Sequence, residues 1–372
     1  MKRQFLLFLI VCVCLIVQGG QVFAQDMPDG IVRTYDGRSF YHHRFRDVGQ
    51  KPYIDFLGTP DGNNILRDAP PDHYHHHGLM FAIRINGVNF WEEHPDGYPG
   101  KQQLVATEGV RTGMECGPNG TFLDESLDLN WISPRGTLLL EEQRFIRAQM
   151  KSESDPVLLT WVSAFTRPKD REQAGILPDV VPPPHSAELD DKIFLHGSSY
   201  NGLGLRFDES MDFGGRFFYS DGCEEMSIDG FELHKNVRCR WVAYTAKLHG
   251  QPVTVALYDL GCGVTVKDTV NLTRDSITSE IDILEHPFGL AWYVPWIKPL
   301  PMVVYALNDP EEQRTNAYLS ATANIFREPL ELAEDQAVVF RYGLAVWNGE
   351  RTPQDVEEVY QAWEQSRNAG KL

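Results

Sequence analysis

The sequence lacks several features that would assign it to familiar classes of protein. Basic residues are few, since 34 Lys and Arg stand against 52 Asp and Glu and give a formal net charge of -18. Such an acid excess repels phosphate backbones, so we expect no nucleic-acid partner. The chain also has no internal repeat, no low-complexity tract and no heptad pattern. These absences leave an ordinary globular protein with an acidic surface.

Long apolar runs are confined to the N-terminus. Two basic residues open the chain, an apolar stretch follows from Phe5 to Val17, and residues 22–24 form a small-x-small cleavage site. This pattern is typical of a secretory signal peptide over residues 1–24, with 25–372 as the mature chain. The mature chain has no run of about 18 to 20 apolar residues that could span a bilayer. We therefore expect an exported protein, periplasmic or extracellular, without a membrane span.

Cysteine is sparse, and no Cys-x-x-Cys pair occurs, so the sequence does not indicate a thiolate zinc site. Cys12 and Cys14 lie in the signal segment and leave lipid anchoring open. The mature chain keeps four cysteines, an even number that is compatible with disulfides in an oxidising compartment. Four cysteines can pair in three ways, and all three stay open. These four are Cys116, Cys223, Cys239 and Cys262.

Most of the mature chain has the short, alternating apolar pattern of β-strands. The turn signals Asp36-Gly37 and Asn86-Gly87 lie between apolar flanks and predict two hairpins. The proline-rich stretch 179–186 interrupts the pattern and predicts a long loop or a boundary between two lobes. Further strand-like segments are 51–58, 137–145, 158–165, 197–207, 240–248, 252–260, 276–284 and 337–347.

One helix is predicted, close to the C-terminus. Thr352 can cap it, Pro353 occupies its first position, and apolar residues recur at helical spacing from Val356 to Trp363. Many short strands with one terminal helix predict an all-β fold, an antiparallel two-sheet sandwich in a single domain.

The densest group of chemically active side chains lies between Asp72 and Leu79, where four of five consecutive positions are histidine. Imidazole titrates near neutrality and serves as acid or base at physiological pH. The hairpin predicted around Asn86-Gly87 would return Glu92 and Glu93 to the same place. The candidate catalytic residues are His73, His75, His76 and Glu92.

Further residues near this motif, or of suitable chemistry, are candidates for binding a substrate. Asp72 could orient a histidine or form an Asx turn, and His77 could contact the substrate. Trp91 could stack on a sugar ring or pack in the core. Arg206 and Arg327 suit a carboxylate or sulfate on a glycan, with buried ion pairing to Glu209 or Glu328 as the alternative.

Two other interpretations of the histidines stay open at this point. In an extended segment, His73, His75 and His77 would share one face and could bind a metal ion. Alternatively, the ring nitrogens could bond backbone carbonyls in a purely structural turn. Among neighbouring aromatics, Tyr74 could be a sugar platform, whereas Phe90 is expected in the core.

Several motifs resemble a family of exported bacterial proteins described as methane oxygenase PmoA-like. They are Asp-His-x-His-His-x-Gly-Leu at 72–79, Asn-Gly-Val-x-Phe-Trp at 86–91, Gly-Leu-Gly-Leu-Arg at 202–206, Arg-Glu-Pro-Leu at 327–330, and Arg-Tyr-Gly-Leu-Ala-Val-Trp-Asn-Gly at 341–349. The resemblance implies a two-sheet supersandwich like that of galactose mutarotase, and an association with glycan degradation.

The chain departs from that family at two places, and the family name does not describe its chemistry. His77 stands where the family often has arginine, and Gly261-Cys262-Gly263 stands where a His-Pro-x-Asn motif is common. Methane oxidation would need a membrane-embedded copper subunit, and the mature chain has no segment that could be embedded.

These observations predict an exported carbohydrate-active protein that uses histidine and carboxylate acid/base chemistry on a glycoside or uronide. Hydrolysis, β-elimination and epimerisation share this equipment and remain open. One alternative is a non-catalytic glycan-binding module. Another is a metal-dependent oxidoreductase through the histidines, which would need a metal ion where the leading hypothesis needs no cofactor.

Overall fold

The structure is a computed structural model, and its strands are numbered β1 to β23 in chain order. It describes residues 22–94, 99–105, 110–117, 120–152, 155–168, 192–198, 200–221, 224–226, 234–266, 301–306, 317–322, 325 and 329–368. The predicted segment 276–284 and the stretch 179–186 lie outside these residues, as do most of the expected signal peptide and Arg327.

Three antiparallel sheets make up the described part of the chain. In spatial order, the first contains β1 (Val22–Met27), β2 (Gly30–Tyr35), β3 (Arg38–Arg44), β4 (Tyr53–Leu57), β5 (Leu79–Ala82), β14 (Gly202–Arg206), β21 (Ala317–Thr322), β20 (Pro301–Ala306), β17 (His234–Arg238) and β16 (Glu224–Met226). The second contains β15 (Arg216–Tyr219), β18 (Trp241–Leu248), β19 (Gln251–Val266), β23 (Gln336–Asn348), β12 (Val157–Thr166), β11 (Leu138–Met150), β10 (Gly120–Ile132) and β8 (Lys101–Leu104), with β9 (Val110–Gly117) also paired to β10. The third contains β22 (Leu330–Leu332), β13 (Ile193–His196), β6 (Arg84–Ile85) and β7 (Val88–Asn89).

The two large sheets pack face to face around an aromatic core. Phe81 of β5 stacks on Phe165 of β12, with ring centroids 5.5 Å apart, and lies 5.8 Å from Phe340 of β23. In β23, alternate residues from Val338 to Val346 belong to this core, as the period of two requires. The predicted all-β antiparallel fold is therefore confirmed.

Both predicted hairpins form, and each turn uses the left-handed backbone that its sequence allows. Asp36 and Gly37 have φ of 49° and 77°, and Asn86 and Gly87 have φ of 47° and 85°. Positive φ at both central positions is the type I′ geometry that matches the twist of the flanking strands. The second hairpin carries the chain back toward residues 91–93.

The predicted helix, α1 (Pro353–Asn368), is confirmed on the outer face of the second sheet. Its first turn is closed reciprocally, because the Thr352 N–H donates to Asp355 Oδ2 (2.7 Å) and the Asp355 N–H donates to Thr352 Oγ1 (3.3 Å). The buried side of the helix places the Trp363 ring 4.9 Å from that of Tyr258 in β19. Among the described residues, no helix is long and apolar enough to cross a membrane.

A buried polar cluster joins the two large sheets. Glu125 of β10 accepts a hydrogen bond from the Tyr41 hydroxyl at 3.0 Å and lies 2.6 Å from His43 Nδ1. Tyr41 and His43 belong to β3 in the opposite sheet, and the side chains of His43 and Glu125 are fully buried. Cys239, between β17 and β18, is disulfide-bonded.

Candidate active site

The histidine motif forms a tight loop, not a strand. Within the histidine loop, residues 67–78, the Ala69 N–H donates to the His76 carbonyl at 2.9 Å. Two successive turns lie inside it, closed by His73 N–H to Pro70 O (3.0 Å) and His76 N–H to His73 O (2.8 Å). The extended conformation considered from the sequence is therefore wrong, because the chain reverses twice and period two no longer applies.

The base of the loop is fixed to β14 and to β4. The Arg206 N–H donates to the Gly78 carbonyl (2.8 Å), and the Arg67 N–H donates to the Arg206 carbonyl (3.0 Å). Gly78 has φ of 50°, and a Cβ there would collide with the Ile54 carbonyl oxygen. Only glycine fits this close approach, so the loop is held rigidly against the first sheet.

Asp72 and His73 form the first histidine–carboxylate pair. His73 Nδ1 lies 2.8 Å from Asp72 Oδ2, which also accepts a hydrogen bond from Arg206 Nη2 at 2.9 Å. Burial alone would raise the pKa of Asp72, but the His73 hydrogen bond and the Arg206 charge outweigh it and lower that pKa. An ionised Asp72 thus fixes the His73 ring, which matches the orienting alternative for Asp72.

Glu92 and His75 form the second pair, with Tyr200 as a third member. His75 Nδ1 lies 3.6 Å from Glu92 Oε2, and the Tyr200 hydroxyl donates to Glu92 Oε1 at 3.3 Å. Burial lowers the pKa of His75 to about 4, and the Glu92 charge offsets only part of this effect. Burial raises the pKa of the Tyr200 hydroxyl. At neutral pH this group therefore contains a neutral imidazole and a protonated phenol.

His76 lies between the two pairs inside a stack of rings. Its centroid is 4.7 Å from that of His73, 4.6 Å from that of His75 and 5.0 Å from that of Tyr318. Burial lowers its pKa well below the ordinary value, and its buried Nδ1 has no hydrogen-bond partner. A neutral imidazole with an unused ring nitrogen thus adjoins both histidine–carboxylate pairs.

His77 has a different role from its neighbours, because both of its ring nitrogens are engaged. Nδ1 lies 2.6 Å from Asp68 Oδ1 and Nε2 lies 3.1 Å from Glu93 Oε1. Lys51, fully buried, donates to the same Glu93 oxygen at 2.7 Å and to the Trp91 carbonyl at 3.0 Å. His77 therefore fastens the loop to residues 91–93, and the prediction that it contacts substrate is corrected.

The geometry of the loop does not provide the three histidine ligands that the metal alternative requires. The proposed trio His73, His75 and His77 depended on an extended backbone, and His77 already has a carboxylate at each ring nitrogen. Within the described parts of the chain, no group of three or more His, Cys, Asp or Glu residues is arranged to hold a metal ion.

Two predicted substrate-binding residues lie behind the site. Trp91 is 1% exposed and packs against Tyr200, with ring centroids 5.6 Å apart, so it is not available as a sugar platform. Arg206 is also 1% exposed and is ion-paired, but its partner is Asp72 and not Glu209, which pairs with Arg67. The predicted grip of Arg206 on a substrate is therefore wrong. Phe90 packs on Trp131 at 4.7 Å, as expected for a core residue.

Sequence reasoning missed Tyr200, Tyr318 and Lys51. The glycines around Tyr200 offered a partial signal, because glycine inside a strand often marks a site of close approach. That indication is correct at Gly204, where a Cβ would collide with the Tyr318 hydroxyl and would lie 2.9 Å from the Trp91 ring. No pattern marked Lys51, because one lysine in a strand-like segment carries no spacing information.

The hairpin prediction, in contrast, placed the carboxylates correctly. Glu92 and Glu93 return beside the histidine loop and contact His75 and His77 respectively. No curated protein matches the chain. A family model matches residues 31–265, a span that contains the histidine loop, both glutamates and Arg206. The chain therefore belongs to DUF6807, a family of unknown function.

Proposed function

We propose that the protein is an exported enzyme that transfers protons at a glycoside or uronide through two adjacent histidine–carboxylate pairs. The observation that carries this proposal is their spacing, with the His73 and His75 rings 5.8 Å apart and a carboxylate on each. A sugar oxygen or carbon placed against the solvent-facing side of both pairs would have two proton-transferring groups within reach.

The two pairs suit opposite roles in proton transfer. Asp72 engages Nδ1 of His73 and leaves Nε2 of that ring to accept or donate a proton. The second pair supplies a neutral His75 and the protonated hydroxyl of Tyr200, which already donates to Glu92. Glycoside hydrolysis needs one group that protonates the leaving oxygen and one that activates water. Epimerisation and β-elimination need a base and an acid at a sugar carbon.

Export is part of the proposal. It is supported by the basic, apolar and small-residue pattern of residues 1–24. The disulfide at Cys239 is a second support, because disulfides persist in oxidising compartments.

Measuring the turnover of glycans by wild-type protein and matched variants tests the proposed function. Purified protein is incubated with a panel of neutral and acidic polysaccharides, and reducing ends, unsaturated uronides and epimerised sugars are measured. We expect His73→Gln and His75→Gln each to lower the rate by at least about 100-fold, the usual contribution of a general acid or base. His249→Asn is the control, because His249 is exposed on the turn between β18 and β19 and asparagine tolerates its φ of 49°.

Two outcomes would contradict the proposal. Variants that fold, as judged by circular dichroism, and keep wild-type rates would remove the histidines from the chemistry. Wild-type protein that binds glycans but converts none would indicate a binding module instead.

A further inference from the structure

The charge and the exposed aromatic surface around the two pairs restrict the substrate. We infer that the site takes an uncharged saccharide of at least two rings, one at the histidine–carboxylate pairs and the next stacked on Tyr74. This inference rests on the proposed function and narrows its substrate class.

Two cations beside the pairs are already committed to protein carboxylates. Arg206 is buried against Asp72, and Lys51 is buried against Glu93. The side chains of Asp72 and Glu92 remain 33% and 29% exposed. Within the pairs themselves, the charged groups that face solvent therefore include two carboxylates, and Arg84 is a further, partly buried cation whose charge acts on Tyr200. A uronate or sulfate would meet repulsion there instead of an arginine fork.

Tyr74 supplies an apolar surface in the same place. It is 46% exposed on the histidine loop, and its ring lies 5.7 Å from that of His75 at an angle of 86°. The loop around it is closed by backbone hydrogen bonds, so the ring is presented from a fixed position. The C–H face of a pyranose can cover such a ring and remove apolar area from water.

The same charge distribution separates the reactions that the two pairs could perform. β-Elimination removes the proton next to a uronate carboxyl group, and the charge that develops there needs a cation to stabilise it. Hydrolysis of a neutral glycoside makes no such demand, since water supplies its hydroxyl to the anomeric carbon and a proton goes to the leaving oxygen. A neutral substrate therefore favours hydrolysis, or epimerisation, over elimination.

Binding to immobilised polysaccharides tests the inference. Biotinylated arabinoxylan, galactomannan and mixed-linkage β-glucan represent neutral chains, and polygalacturonate and alginate represent anionic chains. Biolayer interferometry is run at about 0.15 M and again at about 0.5 M NaCl, because higher salt screens the acidic surface and leaves the local site to discriminate. Tyr74→Ala and Tyr74→Phe are compared with Met114→Ala, which removes a 52% exposed apolar side chain on β9.

At each of the two salt concentrations, we expect wild-type protein to bind at least one neutral glycan. We expect it to bind neither anionic glycan at either concentration. Tyr74→Ala should weaken that binding by at least tenfold, whereas Tyr74→Phe and Met114→Ala should keep it. Binding to an anionic glycan at the higher salt, binding to no neutral glycan, or unchanged binding by Tyr74→Ala would each overturn the inference.

The outcomes also separate this inference from the proposed function. If Tyr74→Ala binds like wild type while His73→Gln abolishes turnover, the enzyme proposal stands and the stacking site fails. If wild-type protein binds neutral glycans through Tyr74 but converts none of them, the stacking site stands and the enzyme proposal fails.

Discussion

The histidines of one loop differ in charge because each ring has a different surrounding. His75 and His76 are buried among other rings, and burial disfavours the charged imidazolium. His77 lies between Asp68 and Glu93, and their hydrogen bonds outweigh its burial and raise its pKa. Residue type alone therefore does not decide which imidazole is basic at neutral pH.

Nuclear magnetic resonance of the histidine ring protons tests this assignment directly. We expect His75 to titrate at about pH 4. Glu92→Gln should lower the pKa further, because the Glu92 charge raises it. A His75 titration at the ordinary value of 6.5 in wild-type protein would contradict the burial argument.

His77 makes the stability of the fold depend on pH with a defined sign. Because its folded pKa is above 6.5, its stabilising contribution is fully present below pH 6.5 and is lost as pH rises through the folded value. Glu93 acts in the opposite sense, since its pKa is below 4.5 and its contribution is lost as pH falls through that lowered value. Around neutral pH, the loop is therefore held most firmly on the acidic side.

Urea unfolding from about pH 5 to about pH 9 measures this dependence. We expect His77→Gln to be less stable than wild type, with the difference shrinking as pH rises above 6.5. His42, whose pKa is raised by its hydrogen bond to Asp55, gives a decline of the same sign in both proteins. The difference curve therefore isolates His77, and parallel curves would refute its role.

Secondary-structure elements differed in how far local sequence specified them. The Asp36-Gly37 and Asn86-Gly87 turns and the Thr352 cap were predictable, because the required backbone conformation selects particular residues. The histidine loop was not, because its alternation resembles a strand and its turns depend on contacts with Arg206. Element type follows local patterns only where no distant contact competes.

The C-terminal helix depends on one large contact with the second sheet. Trp363 is 7% exposed and packs against Tyr258 and Gly343, so Trp363→Ala should destabilise the fold by about 3 kcal/mol or more. Urea unfolding followed by circular dichroism measures the loss. Gln365→Ala, on the exposed side of the same helix, should change stability by less than about 0.5 kcal/mol. Equal effects of the two substitutions would contradict this packing.

At the scale of the whole molecule, Glu125 links the sheets through polar groups that only pair once the sandwich closes. Glu125→Ala would leave His43 and Tyr41 buried without their common carboxylate, at a cost of about 3–5 kcal/mol. Glu125→Gln should cost less, because an amide keeps the shape and can still accept from the tyrosine. Thermal unfolding compares the two variants, and a similar loss in both would contradict this expectation and show that the ionised carboxylate, not its shape, holds the interface.

The sequence alone determined the all-β class, the two tight hairpins, the terminal helix and the return of Glu92 to the histidines. Each of these depends on residues close together in the chain, whose side chains restrict the backbone or alternate between two faces. Only the tertiary structure decided that Arg206 supports Asp72, that Trp91 is covered, and that His77 is fastened by Asp68 and Glu93. Burial and ion pairing depend on strands that are far apart in sequence, and for that reason no local pattern could assign these roles.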